Sequence, residues 1–158
     1  MKLTILCVGK LSLPFLKEGR DEYHQRLKRY LPVDEIELKE EKRGGKKATP
    51  DFVRNHEAEA LMARIPPGSH VIGLDEKGHR LSSKKLAASL EKHMNQGTGN
   101  VCLIIGGAYG LTDTLRQRCD SLLSLSDMTM THQMARMFLY EQLYRAMTII
   151  RREPYHNS

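Results

Sequence analysis

Val101-Cys102-Leu103-Ile104-Ile105 runs directly into Gly106-Gly107-Ala108-Tyr109-Gly110-Leu111. An unbroken apolar run of this kind, rich in Val and Ile, marks a strand buried on both faces of a parallel sheet. The glycines that follow let backbone approach a ligand closely, because no Cβ stands in the way. They suit equally a tight strand-to-helix turn that needs positive φ, and the residues alone leave both readings open. A second unit of the same design comes next. Ser121-Leu122-Leu123-Ser124-Leu125-Ser126-Asp127-Met128-Thr129-Met130-Thr131-His132 reads as a strand and its loop, and 133–150 as a long amphipathic helix. Two small-residue loops at the carboxyl ends of strands are what an α/β protein uses to hold a nucleotide-like ligand.

Upstream, strands and helices alternate. Leu3 to Val8 is apolar on both faces and reads as a central parallel strand. The spacing of Phe15, Leu16, Tyr23, Leu27 and Tyr30 predicts a surface helix over 15–30, stopped by Pro32. Val33 to Leu38 alternates with acidic residues and is expected to be an exposed strand. The charged segment 40–49, with Lys42-Arg43-Gly44-Gly45-Lys46-Lys47, is a loop. Phe52, Ala58, Leu61, Met62 and Ile65 predict a helix over 51–65, broken by Pro66-Pro67-Gly68. His70 to Leu74 is a third strand closing in a turn at Asp75-Glu76-Lys77-Gly78. Ser82 or Ser83 caps a helix that ends near Gly97, and Thr112 caps a shorter one. The pattern is that of an α/β domain, a mostly parallel sheet flanked by helices, with one domain over 1–158.

The net charge of +6 favours a polyanionic partner but fits a merely basic protein as well. Three cysteines without metal spacing point to free thiols in a reducing cytoplasm, with Cys7 and Cys102 as small core residues. No apolar stretch approaches the ~18 residues that span a bilayer, so no membrane partner is expected. The first strand ends Val8-Gly9-Lys10, without a glycine fingerprint, which argues against a nicotinamide or flavin site. No histidine spacing suggests a metal.

The loop over Leu125 to His132 mixes Ser126, Thr129, Thr131 and His132 with Met128 and Met130. Its backbone and hydroxyls suit hydrogen bonds to a base whose faces the methionines pack. An ordinary loop with a helix cap at Thr131 or His132 accounts for it too. The helix after it carries apolar residues on several faces, as a subunit interface or a fully enclosed helix requires. Arg151, Arg152, Tyr155 and His156 make a basic, aromatic tail compatible with phosphate contacts.

Taken in order, four blocks of this chain resemble the RlmH family, small SPOUT-class methyltransferases of 23S ribosomal RNA. They are Ile104 to Leu111, Leu125 to Gln133, Glu141-Gln142-Leu143-Tyr144-Arg145-Ala146 and Pro154-Tyr155-His156, with support from Met1 to Lys10 and Val71 to Asp75. The resemblance implies a C-terminal trefoil knot, a rare exception to unknotted topology. It implies a homodimer with sites built from both chains, and S-adenosylmethionine held in the knot. The family's cofactor contacts fall on Leu74, Gly106, Leu125, Ser126, Asp127, Met128, Thr129 and Met130. The implied reaction is methyl transfer to N3 of a pseudouridine on the ribosome or large subunit. Where the family has proline before the loop histidine, this chain has Thr131, whose hydroxyl can cap the helix.

In that reaction His132 is the expected base or orienting group, since the imino proton on N3 must leave. Arg136, one turn on, is expected to stabilise charge on a uracil carbonyl or to bind phosphate. Tyr155 and His156 are expected to close the pocket or to reach the partner's site. Two other readings compete with this one. A non-catalytic RNA-binding assembly factor fits the charge equally but leaves the two ligand-type loops unexplained. A nucleotide-dependent enzyme of another α/β class lacks its first-strand glycine motif.

Overall fold

The computed structural model describes residues 1–157. Five parallel strands stand in the order β2-β1-β4-β3-β5, with β1 at Lys2–Val8, β2 at Val33–Leu38, β3 at His70–Arg80, β4 at Asn100–Ile105 and β5 at Ser121–Ser124. Helices α1 (Pro14–Leu27), α2 (Pro50–Arg64), α3 (Ser83–Asn95), α4 (Asp113–Arg118) and α5 (His132–Ile150) make the crossovers and the C-terminal element. The expected parallel α/β architecture is present.

Period-two alternation sorts the central strands between two layers. Leu3, Ile5 and Cys7 of β1, with Val101, Leu103 and Ile105 of β4, pack against Leu27 of α1, Leu86 and Leu90 of α3, and Leu139, Leu143 and Met147 of α5. Leu6 and Val8, with Cys102 and Ile104, pack against Ala58 and Leu61 of α2 and Leu115 of α4. Cys7 and Cys102 are buried free thiols, and burial pushes the Cys102 thiol up to about 11.

Most helix ends follow the expected chemistry. Ser82, Thr112 and Thr131 each accept the backbone N–H three residues on, and Gly97 takes φ +74° after α3. Two local expectations change. The first helix ends at Leu27, three residues early, and Lys28 to Tyr30 form a turn. The turn expected at 75–78 is a bulge within a longer strand, since Leu74 and His79 both lie opposite Leu123 and pairing resumes at Arg80 and Ser124. Gly78 in that bulge lies on the chain of β5, where a Cβ would meet the Leu122 and Leu123 backbone at 2.6–2.7 Å.

Candidate active site

Because all five strands are parallel, their carboxyl ends and the loops that follow share one edge of the sheet. The neighbours β4, β3 and β5 bring three expected cofactor stretches side by side there. Gly73 pairs with Ile104, and Leu74 pairs with Leu123, so Gly106, Leu74 and Leu125 stand at adjacent strand ends. Leu74 and Leu125 are partly buried against the same core. The bulge and the loop are anchored from outside. Arg116 donates to Asp75 at 2.8 Å, and Arg80 pairs with Asp127.

Ser126 shapes the 125–130 loop by accepting the Met128 N–H at 2.9 Å. The main-chain N–H groups of Thr129 and Met130 find no acceptor among the described residues. Met128 is 80% exposed. Free amides beside partly buried leucines suit a flat heteroaromatic ligand with polar edges, such as an adenine ring. These residues therefore fit the cofactor that the sequence implied.

Gly106 and Gly107 of the glycine loop have protein neighbours that exclude a Cβ. A Cβ on Gly106 would meet the Gly110 carbonyl oxygen at 2.9 Å, and one on Gly107 would overlap the Glu57 carboxylate. Gly110, at φ +76°, closes a turn by donating to the Gly107 carbonyl at 3.1 Å. The tight-turn reading describes Gly110, and Glu57 of α2 occupies the space that Gly107 leaves.

Glu57 is 7% exposed and accepts the Glu41 N–H at 3.3 Å. Burial pushes its pKa up, partly opposed by that bond. Sequence reasoning passed it over. Its one legible signal is position: Glu57 lies four residues before Leu61, on the apolar face of its helix.

His132 opens α5, half-buried, and its ring forms no hydrogen bond among the described residues. Burial lowers its pKa. The Glu40 carboxylate opposes that shift and the Arg136 cation adds to it. Glu40 itself lies over Gly9, where a Cβ would meet Glu40 Oε1 at 2.6 Å. The imidazole is therefore neutral at physiological pH, with a lone pair to accept a proton.

Arg136 sits elsewhere than the expected contact with substrate. It is 1% exposed, and its guanidinium donates to the Gly9 carbonyl at 2.6 Å, the Val8 carbonyl at 3.3 Å and Glu37 at 2.6 Å, with Glu35 at 3.5 Å. Glu35 also pairs with Arg20 of α1 and accepts from the Tyr140 hydroxyl at 2.6 Å. Of the acidic residues of β2, expected to be exposed, Asp34 and Glu37 are so, whereas Glu35 is largely buried; Glu35 and Glu37 hold this buried cation. Arg136 ties the β1 end to α5 beside His132, a positioning role rather than a contact.

Tyr155 and His156 fold back on the far half of α5. The Tyr155 hydroxyl donates to Glu141 at 2.9 Å, its ring meets Tyr144 edge-on at 4.7 Å, and Arg145 lies 4.8 Å over it. His156 contacts Arg145 at 3.3 Å. Helical rise separates Glu141 from His132 by about 14 Å. Within one chain the tail and His132 are therefore not brought together. No residue of α5 is fully exposed, yet Met134, Met137, Phe138 and Gln142 remain only half-covered. Fully enclosed is thus not its state.

The comparisons agree with the fold at the level of class. The chain belongs to the SPOUT methyltransferase family, whose model, described as predicted SPOUT methyltransferase, matches residues 1–156. Among particular members, it is 56% identical over 157 residues to ribosomal RNA large subunit methyltransferase H of Syntrophotalea carbinolica, covering 99% of each chain. It is 45% identical to the protein of that name from Trichlorobacter lovleyi, covering 99% of this chain and 100% of the other. Among solved structures, the probable methyltransferase from Bordetella pertussis Tohama I has a similar fold, with a TM-score of 0.54 at 14% identity over 91% of this chain and 95% of that one. No helix among the described residues is long and apolar enough to cross a membrane.

Proposed function

We propose that this chain transfers a methyl group from S-adenosylmethionine to N3 of a pseudouridine in 23S ribosomal RNA, acting on the ribosome or large subunit. The observation that carries the reading is the convergence of Leu74, Gly106 and the 125–130 loop at adjacent parallel strand ends, one helix start away from a neutral histidine. The names of the full-length relatives support the substrate class.

The backbone amides of Thr129 and Met130, with the side chains of Leu74 and Leu125, hold the adenine end. S-adenosylmethionine, when bound, supplies an electrophilic methyl group on a sulfonium. His132 accepts the imino proton from N3 or orients the base. Glu40 steadies the charged imidazolium, and Arg136 fixes the end of β1 against α5. The strand order and the close passage of Gly78 over β5 support a trefoil knot, in which the last segment threads the loop that holds the cofactor. The half-covered face of α5 supports a homodimer, and the distance from the tail to His132 supports sites shared between subunits, each Tyr155 and His156 serving the partner.

Calorimetric titration with S-adenosylhomocysteine, followed by methyl transfer to ribosomes lacking the modification, tests the reading. Saturable binding and a stoichiometric methyl mark on N3 are expected. Well-folded protein that binds ribosomes but neither cofactor nor its product would point to the RNA-binding assembly factor instead.

A further inference from the structure

Behind the glycine loop, on the α2 side of the sheet, lies a cavity of about 400 Å³, and Glu40, whose charge acts on His132, stands on its wall. Its walls include three carboxylates, Glu40, Glu41 and Glu57, with Lys42, Gly107 and Tyr109. Glu57 is more than nine-tenths buried, its Oε1 accepts no hydrogen bond, and it has no cationic partner among the described residues. A carboxylate kept in this state and turned into a cavity calls for a hydrogen-bond donor from outside.

The rest of the wall narrows the ligand. Tyr109 is 50% exposed, a ring available for stacking. Gly45 and Ala48 line the cavity, so the exposed Lys46 and Lys47 between them, with Lys42, place positive charge at its rim. Glu41 is paired with Arg43, and these lysines offset the carboxylates of the wall and give phosphate a cationic contact at the rim. A ligand with a flat ring, a donor on that ring and an anionic backbone is a nucleotide.

Building on the methyltransferase reading, we propose that this cavity receives the extruded base of the target nucleotide, with Tyr109 stacked on its face and Glu57 accepting an imino N–H. A uracil joined to ribose through carbon has two imino N–H groups. With N3–H given up to methylation, N1–H remains to be read. Uridine has its ribose on N1 and a C–H in the equivalent place, so Glu57 distinguishes pseudouridine from uridine. Gly107 has no Cβ because that carboxylate must reach past the loop.

Large subunits carrying either pseudouridine or uridine at the target position test this with variants of the full chain. Glu57→Ala is expected to lower kcat/KM on the pseudouridine particle by about tenfold or more, by loss of a hydrogen bond to a charged group, and to leave the uridine particle unchanged. Glu57→Met keeps the volume roughly, removes the acceptor and moves the ratio the same way, which covers the case of a poorly folded alanine variant. Tyr109→Ala is expected to lower both rates about tenfold, and Tyr109→Phe neither. S-adenosylhomocysteine affinity stays at the wild-type value throughout. An unchanged pseudouridine-to-uridine ratio in both Glu57 variants overturns the assignment. So does a parallel loss of S-adenosylhomocysteine affinity, which would reduce Glu57 to support of the glycine loop. A wild-type protein that methylates neither particle fails the methyltransferase reading itself and is thereby distinguished.

Discussion

His132 is poised by three neighbouring influences of different sign. Burial and Arg136 disfavour its imidazolium, and Glu40 favours it. A base must be neutral to work, so protonation on the acid side removes activity. Burial puts that loss below the ordinary histidine value of about 6.5. The pH profile of kcat at saturating cofactor should therefore be flat through neutrality and fall only on its acid limb. Glu40→Gln removes the influence that raises the pKa, so the limb should move to still lower pH. A limb that stays in place or moves upward would take His132 out of proton transfer. His132→Ala, in turn, should cost about a hundredfold or more in kcat while the cofactor binds normally.

At the scale of elements, Arg136 is the joint between β1, β2, α1 and α5. Its partners Glu35 and Glu37 stand on β2, and Arg20 reaches Glu35 from α1, so two cations balance two anions in a largely buried cluster. Removing one member leaves charge uncompensated. Arg136→Met should destabilise the fold by about 3–5 kcal/mol, read as a lower urea midpoint. Cofactor affinity measured well below that midpoint should change little, because Leu74 and the 125–130 loop sit on other strands. The helix caps and the core faces of β1 and β4 were legible in the sequence, since local hydrogen bonding and period-two alternation determine them. The solvent-side reading holds for Asp34 and Glu37 but not for Glu35, which is turned into the buried cluster. An acidic residue on an alternating strand looks the same whether water or a buried arginine faces it.

For the whole molecule, the distance between the tail and His132 has a direct consequence. If each tail completes the partner's site, His132→Ala and Tyr155→Ala homodimers are both impaired. Their heterodimer regains one intact site of two and about half of wild-type turnover per dimer, as two-fold symmetry requires. If each tail serves its own chain, the heterodimer stays as impaired as its parents. Co-expression with two affinity tags and a methyl-transfer assay decide between them.

The sequence by itself determined the strands, most helix bounds, the parallel α/β class and the family, because these depend on local patterning and on motifs in fixed order. It also marked the loop from Leu125 to His132 as the candidate ligand loop. Only the tertiary structure decided that Arg136 is a buried tie, that Gly107 makes way for Glu57, and that Tyr155 lies far from His132 in its own chain. Those facts depend on which strands become neighbours. The crossovers bring Glu57 to Gly107 and Glu37 to Arg136 across long stretches of chain, and no short-range periodicity carries that information.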